Sequence, residues 1–203
     1  MARVRDTRHM EDVRTAGPED AEEVGRTLAA GFGDDPVLCW VFEEPGRAGK
    51  LGALFAFLTV EALLPLGATY VVPGSCAAWT PPGSPSWPEE RGVRLVTTLA
   101  PSCSPGDLER LGVLDDTVRA AHPAAPHWYL GLLATEPQLR GRGAGATLLR
   151  HSLGVVDADH LPASLESTNP RNVPLYERHG FEVTGPVDLP GGPSLTAMWR
   201  MPR

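Results

Sequence analysis

Positive charge is scarce in this sequence, and lysine is almost absent. The 203 residues include 18 Lys and Arg against 25 Asp and Glu, which gives a net charge of −7, and Lys50 is the only lysine. A protein that binds nucleic acid presents a basic face, so this balance speaks against a nucleic-acid partner. An acidic surface instead favours the approach of a small cationic molecule.

Cysteine and other metal ligands are also sparse. Cys39, Cys76 and Cys103 lie far apart and form no CxxC pair, so their spacing predicts neither a disulfide framework nor a zinc site. We expect no bound metal. Five histidines are scattered along the chain and are expected on the surface or in loops, namely His9, His122, His127, His151 and His160.

Long apolar runs are missing as well. We find none that would span a bilayer, and residues 1–14 alternate acids and bases without the apolar stretch of a signal peptide. These absences predict a cytoplasmic protein with no membrane partner. The length suffices for one domain over residues 1–203, with residues 1–12 as a flexible N-terminus.

Periodicity and turn signals predict the order of the elements. Strands are predicted over residues 13–16, 68–72, 76–80, 127–135, 163–167, 181–189 and 194–201. Helices are predicted over residues 18–32, 51–64, 143–156 and 173–179, and over 88–122 with a break at 101–105. Strands that alternate with helices in this way indicate an α/β (α+β) domain with a central mixed sheet.

The most informative stretch joins a strand to a helix through a basic, glycine-rich loop. Arg140-Gly141-Arg142-Gly143-Ala144-Gly145 opens directly into an Ala/Leu-rich helix. The free amides and the dipole at such a helix start attract phosphate, glycines let it approach, and the arginines add charge. The loop therefore predicts a ligand that carries a pyrophosphate.

Two kinds of pyrophosphate ligand fit this loop. Residues 141–146 match a dinucleotide fingerprint, with Asp157 or Asp159 downstream, but only about 60 residues follow, too few for a long βαβαβ array. A nucleotide-triphosphate loop is excluded, since no Lys-Ser or Lys-Thr follows the last glycine. Residues 140–145 also fit the pattern (Q/R)xxGx(G/A), which belongs to an acyl-coenzyme A loop.

A second motif supports the acyl-coenzyme A interpretation. Asn169 is followed seven residues later by Tyr176 and then by Gly180-Phe181. With both motifs in this order, the sequence resembles the GCN5-related N-acetyltransferases (GNAT) from about Val13 onward. The resemblance implies a single-domain GNAT fold, whose mixed sheet is splayed and flanked by helices, and acetyl-CoA as the cofactor.

The same resemblance assigns residues to the cofactor. Backbone groups at the end of the strand near Leu132 or Leu133 would line the pantetheine arm and face the thioester oxygen, while the loop would hold the pyrophosphate. Asn169 would either contact the pantetheine arm or cap the following helix. The implied cofactor residues are Leu133, Ala134, Thr135, Arg140, Gly141, Arg142, Gly143, Ala144, Gly145 and Asn169.

The catalytic groups are proton carriers. Tyr176 occupies the family's position for the acid that protonates the leaving thiolate, although a core aromatic is the alternative. Candidate bases are Glu166, Glu136 and His179, of which we favour Glu166 because its strand borders the predicted splay. Glu136 and His179 have ordinary alternatives, a turn carboxylate and a residue at a helix end.

The acceptor site is the least constrained part. Phe32, Asp34, Trp79 and Trp128 are predicted to contact the substrate, although Asp34 and Asp35 also suit a turn, and large aromatics such as Trp40 also suit a core.

The function that the resemblance implies is N-acetylation of a primary amine on a small molecule. An aminonucleoside-type or other antibiotic, or a biosynthetic intermediate, would be the acceptor, attacked directly in a ternary complex. The alternatives are a peptide or protein acceptor and a non-catalytic protein that binds coenzyme A. A monomer or a homodimer is expected.

Overall fold

A computed structural model describes residues 12–85 and 87–203. The predicted flexible N-terminus, apart from Asp12, and His9 lie outside the described residues. The strands are β1 (Arg14–Thr15), β2 (Thr69–Val72), β3 (Ser75–Thr80), β4 (Trp128–Thr135), β5 (Ala163–Ser167), β6 (Glu182–Asp188) and β7 (Ser194–Arg200). The α-helices are α1 (Ala21–Gly31), α2 (Pro36–Val41), α3 (Arg47–Leu58), α4 (Glu89–Leu99), α5 (Pro105–Ala121), α6 (Ala144–Ala158) and α7 (Val173–Glu177).

The strands form one mixed sheet in the order β1-β2-β3-β4-β5-β7-β6. Every neighbouring pair is antiparallel except β4 and β5, which run parallel. The right-handed crossover expected of parallel neighbours is supplied by α6. The predicted mixed sheet flanked by helices is therefore confirmed.

Two cores cover the two sides of the sheet. One contains α1, α2, α3 and α5 and includes Leu28, Phe42 and Phe55, while the other contains α6 and α7 and includes Leu148 and Phe181. An irregularity between β3 and β4 leaves Gly131 without a partner in the register, because Trp79 pairs with Leu130 and Ala78 with Leu132. This bulge reverses which β4 side chains face each core beyond that point.

One helix was not predicted. Helix α2 follows directly on Asp35, whose carboxylate caps it by accepting from the amides of Val37 at 3.0 Å and Leu38 at 3.1 Å. The sequence predicts Asp34 and Asp35 in a turn or beside the substrate, whereas Asp35 serves as the N-cap and Pro36 as the first-turn proline of α2. A capping box formed by Ser104 and Asp107 starts α5.

The third helical segment is longer than predicted. Within the described residues, α3 and the shorter turns after it make one stretch, Arg47–Leu66, of 20 residues with a mean hydropathy of 1.5. By length and composition alone this stretch is long and apolar enough to cross a bilayer, which was not expected from the sequence. It packs on α1 and α4 and contributes Leu51, Leu54 and Phe55 to the core, as the core helix of a folded domain does.

Candidate functional site

The sheet opens between its two parallel strands. β4 and β5 are in register only at Trp128 with Ala163 and at Tyr129 with Ser164, and beyond these pairs the strands diverge. From Leu130 to Thr135, β4 therefore pairs with β3 on one side and has no strand on the other among the described residues. A strand edge of this kind offers backbone donors and acceptors to an extended ligand.

The glycine loop lies at the end of this opening. Gly141 and Gly143 have positive φ angles of 74° and 93°, and a Cβ added to either would meet nothing within 4 Å. The first helical hydrogen bond of α6 runs from the Thr147 amide to the Gly143 carbonyl at 2.9 Å, so the three preceding amides lie ahead of the helical ladder. Open space, free amides and a helix N-terminus fit a pyrophosphate.

The start of α6 also touches the strand edge and the helix that carries Tyr176. A Cβ on Gly145 would contact the side chains of Leu175 at 3.7 Å and Leu133 at 3.9 Å. Of the predicted cofactor residues, Ala134 is buried, and its carbonyl accepts from the Ser75 hydroxyl at 2.7 Å, while that hydroxyl also pairs with Thr135. Loop, strand edge and α7 are thus adjacent.

The two arginines of the loop differ in their surroundings. Arg140 forms a bidentate pair with Asp34 at 2.7 and 2.8 Å and donates to the Gly31 carbonyl at 2.7 Å. Gly31 is needed there, because a Cβ would lie 2.8 Å from the Cβ of Ala134. Within the described chain Arg142 has no such partner and is exposed, so its charge is available to a ligand.

Asp34 and Phe32 were both predicted to contact the substrate. Asp34 pairs with Arg140 of the glycine loop, and this hydrogen bond lowers the pKa of the carboxyl below its usual value. Phe32 stacks on Phe55 with ring centroids 5.3 Å apart and remains partly exposed. The segment between α1 and α2 thus ties the glycine loop to the first core.

Tyr176 is held in the second core. It is 7% exposed and packs edge-on against Phe181 with ring centroids 6.1 Å apart. Burial, and then the nearby charge of Asp35, raise the pKa of its hydroxyl well above the usual value. The phenol is therefore fully protonated at neutral pH, which is the state a general acid requires.

Asn169 and its neighbours secure the end of β5. The Asn169 side chain accepts from the Arg171 amide at 3.1 Å and so caps the short helical turn that precedes α7. Thr168 donates to the buried Asp35 carboxylate at 2.5 Å. Asp35 thus links the end of β5 to the start of α2. Of the two roles considered for Asn169, the side chain performs that of a helix cap in this structure.

Glu166 faces a cavity of about 420 Å³. The cavity lies between β5, β7 and the chain just after α5, and Thr184, Ala197 and Trp199 line it together with Glu166. The Oε2 atom of Glu166 is buried without a hydrogen-bond partner. Burial raises the pKa of this carboxyl, and the Tyr129 hydroxyl opposes the rise.

The other two candidate bases have structural partners. Glu136 accepts from Arg26 at 2.6 Å and from the Gln138 amide at 2.5 Å, and it is 7% exposed. His179 lies 2.8 Å, through Nδ1, from the Leu175 carbonyl near the end of α7. Glu166 is the one of the three that lines the cavity.

The structure corrects the prediction that Trp79 and Trp128 line the acceptor site. They are 1% and 7% exposed and pack edge-on against each other in the core on the α6 side, with ring centroids 6.5 Å apart. Trp128 also donates to Asp159 at 2.9 Å. Trp40 binds the Gly191 carbonyl at 2.9 Å and so fixes α2 to the turn between β6 and β7.

Four residues beside the cavity were missed or assigned to the surface. His122, His127, Tyr129 and Trp199 form a contiguous aromatic cluster, with successive ring centroids 4.5 to 5.4 Å apart. Alternation along β4 and β7 would have placed Tyr129 and Trp199 on the same side as Glu166. The two histidines carry no such signal, because they lie in an irregular segment.

Comparison with known proteins gives the same fold. Residues 108–181 match the model of the acetyltransferase (GNAT) family. The chain is 30% identical over 90 residues to the peptidyl-lysine N-acetyltransferase YjaB of Escherichia coli (strain K12), a match that covers 36% of this chain and 60% of that relative. The chain thus spans less than two thirds of that relative's length.

Two solved structures are similar over nearly their whole lengths. A crystal structure described as histone acetyltransferase HPA2 and related acetyltransferase, from Corynebacterium glutamicum, is 27% identical with a TM-score of 0.67, covering 94% of this chain and 96% of that one. A polyamine N-acetyltransferase of Drosophila melanogaster is 18% identical with a TM-score of 0.64, covering 94% and 99%. These likenesses and the family match lead to one identification: the chain has the fold of the GNAT acetyltransferases, and its residues 108–181 carry that family's pattern.

Proposed function

We propose that this protein transfers an acetyl group from acetyl-CoA to a primary amine of a small molecule. The observation that carries the proposal is the opening between β4 and β5, which has the glycine loop at one end and Glu166 and Tyr176 on its flanking elements. The reaction needs a clamp for the carrier, an edge for its arm, a base and an acid, and each has a candidate here.

The loop and the strand edge hold the cofactor in this proposal. The amides of Ala144 to Ala146 and the guanidinium of Arg142 bind the pyrophosphate, and the free edge of β4 pairs with the pantetheine arm as an added strand would. Acetyl-CoA, when bound, supplies the acetyl thioester. A β4 amide near Leu132 or Leu133 stabilises the negative charge that develops on the thioester oxygen in the transition state.

Glu166 and Tyr176 move the protons. Glu166 accepts a proton from the attacking amine, directly or through a water molecule, and Tyr176 gives its hydroxyl proton to the departing sulfur. Glu166 lies on the opposite side of β5 from Leu165, which shares a core with Tyr176. Acid and base thus flank the opening from two sides, as direct attack in a ternary complex requires.

The choice of acceptor rests on similarity. Leu165-Glu166-Ser167-Thr168 and Tyr176-Glu177-Arg178 resemble segments of puromycin N-acetyltransferase, so aminonucleosides and other amine antibiotics are the first acceptors to test. The name of the Escherichia coli relative gives a second candidate, the lysine side chain of a peptide.

Release of free thiol from acetyl-CoA tests the proposal. Wild-type protein is assayed with aminonucleosides, aminoglycosides, amino acids, polyamines and a lysine peptide, and turnover is expected with at least one small amine. Tyr176→Phe should lower kcat by about 10- to 100-fold. The loss is smaller than it would be for a poorer leaving group, because a free thiol has a pKa of only about 8.5.

Tyr70→Phe is the matched control. Tyr70 is another buried tyrosine in the same core, but it lies on β2, away from the opening. Its variant should keep wild-type kcat. Equal kcat in Tyr176→Phe and Tyr70→Phe would remove the acid role, and binding of coenzyme A without turnover of any amine would favour a non-catalytic binding protein.

A further inference from the structure

The aromatic cluster beside Glu166 has a defined hydrogen-bond order. His127 Nδ1 lies 2.6 Å from the Ala125 carbonyl, so this nitrogen carries the proton. His127 Nε2 therefore accepts in the neutral ring, and His122 Nε2, 3.3 Å away, donates to it. The two rings are thus held to each other and to the backbone.

Burial favours the uncharged form of His122 in this pair. His127 is 9% exposed, and burial, followed by the proximity of His127, lowers the pKa of His122. Tyr129 packs edge-on against His122, and Trp199 lies against His127 with ring centroids 5.4 Å apart. The wall of the cavity that Trp199 forms is therefore aromatic and is backed by the His127 ring.

The cavity also carries a single ionisable group. Among the described residues that line the cavity, Glu166 is the only ionisable one, and the other side chains are mainly Ala, Pro, Thr and Trp. Its Oε2 atom is buried and lacks a partner within the protein. Glu166 lines the cavity, so a bound ammonium group would pair with its carboxylate.

We propose that this cavity is the acceptor subsite and that it selects a primary monoamine carried on a flat, apolar ring, with the ring against Trp199 and the nitrogen at Glu166. This inference rests on the proposed acetyl transfer. The volume of about 420 Å³ is in the range of small-molecule sites. Polyamines fit less well, because each further ammonium group would need a further carboxylate.

Matched amines test this selectivity. The second-order constant kcat/KM is measured for 2-phenylethylamine, n-butylamine and putrescine with saturating acetyl-CoA. A ring against this wall gains packing and buried area, so 2-phenylethylamine should exceed the other two amines by about tenfold or more. Trp199→Leu should reduce that preference about fivefold.

Trp87→Leu is the control, because Trp87 is an exposed tryptophan outside the cavity. Binding without chemistry is measured separately, as saturation-transfer NMR of 2-phenylethylamine with the cofactor-free protein and with Trp199→Leu. The inference is supported if saturation is transferred to the ring protons, if Trp199→Leu weakens this transfer and if Trp87→Leu does not. This holds even if no amine is acetylated.

Two results overturn the inference. Equal or greater kcat/KM for n-butylamine or putrescine would refute the ring-selective site while leaving acetyl transfer in place. The ring-selective site would also be refuted if no saturation were transferred to the ring protons, or if Trp199→Leu left that transfer unchanged. Either result would count whether or not turnover occurs. Failure of every amine to react despite normal ring binding would count against the proposed function alone.

Discussion

At the scale of single residues, the environments of Glu166 and Tyr176 matter more than their positions in a motif. Burial raises the pKa of both groups. For Glu166 the shift moves proton uptake closer to neutral pH, and for Tyr176 it keeps the proton on the oxygen throughout the neutral range.

The pH dependence of the reaction follows from Glu166. A base acts when it is deprotonated, so kcat/KM should fall as the pH drops through the raised pKa of this carboxyl. The test substrate must be an amine of low pKa. Otherwise protonation of the amine itself would also lower kcat/KM on the acidic side of the profile. Glu166→Gln should remove the acidic limb and lower the plateau about 10²- to 10⁴-fold.

Glu136→Gln serves as the comparison. Glu136 pairs with Arg26 at 2.6 Å, so its loss should lower the unfolding temperature and leave the shape of the pH profile unchanged. A profile altered by Glu136→Gln and untouched by Glu166→Gln would reverse the two assignments.

Residue positions were predictable where a motif fixes the backbone. Gly143 and Tyr176 hold the positions that the two motifs indicate. The orientation of Trp79 and Trp128 was not predictable, because the bulge at Gly131 and the choice of core decide which way a strand residue points. The His122–His127 pair depends on an irregular segment, whose course composition does not specify.

At the scale of elements, one buried ion pair joins α3 to α5. Lys50 Nζ lies 2.8 Å from Asp107 Oδ2 and also donates to the Glu43 carbonyl at 2.8 Å. Burial opposes ionisation of Asp107, but the hydrogen bonds from Lys50 and Ser104 outweigh it and lower the pKa below its usual range. The only lysine of the chain is thus a core residue.

Removing one partner of this pair should be costly. Lys50→Met leaves the Asp107 carboxylate buried with less compensation, and we expect a loss of about 3–5 kcal/mol in the free energy of unfolding. Chemical denaturation followed by circular dichroism measures it. The double variant Lys50→Met/Asp107→Leu should recover much of the loss, and a single variant as stable as wild type would contradict the assignment.

Most elements were predictable from periodicity and turn residues, and α2 shows where that reasoning ended. Its six residues are too few for a periodic pattern, and its start depends on the cap by Asp35, whose carboxylate also accepts from Thr168, the residue after β5. A contact between residues so distant in sequence leaves no local signal. The extension of α3 back to Arg47 likewise follows from packing rather than from propensity.

At the scale of the whole molecule, paired carboxylates connect separate parts of the chain. Asp20 accepts from Arg14 at 2.6 Å through both oxygens, and this pair, with the Gly17 amide, lowers the pKa of the carboxyl to about 2. Asp157 on α6 accepts from Arg200 on β7 at 2.6 and 2.8 Å, and its pKa is lowered for the same reason.

Stability should therefore depend on pH in the acid range. A carboxyl whose folded-state pKa is lowered contributes stability above its unfolded value of about 3.9, and that contribution is lost as the pH falls through the folded value. We expect the unfolding temperature to decline between about pH 4 and pH 2. Asp157→Asn should lower it by several degrees at pH 7 and make the decline shallower, relative to Asp188→Asn at an exposed site.

The overall topology was predictable in kind, because the order of strands and helices indicated a mixed sheet. The divergence of β4 from β5 came from the family resemblance, since no residue of either strand marks where the pairing ends. The cavity was not predictable either, because β5, β7 and the segment after α5 form it together from distant parts of the sequence.

Calorimetric titration with coenzyme A tests the clamp at residues 140–145 most directly. Wild type should bind, and Arg142→Ala should weaken the affinity about tenfold, while Arg150→Ala, an equal charge change two turns further along α6, should leave it within about twofold. No binding by wild type, or equal affinities for the two arginine variants, would contradict the proposed site.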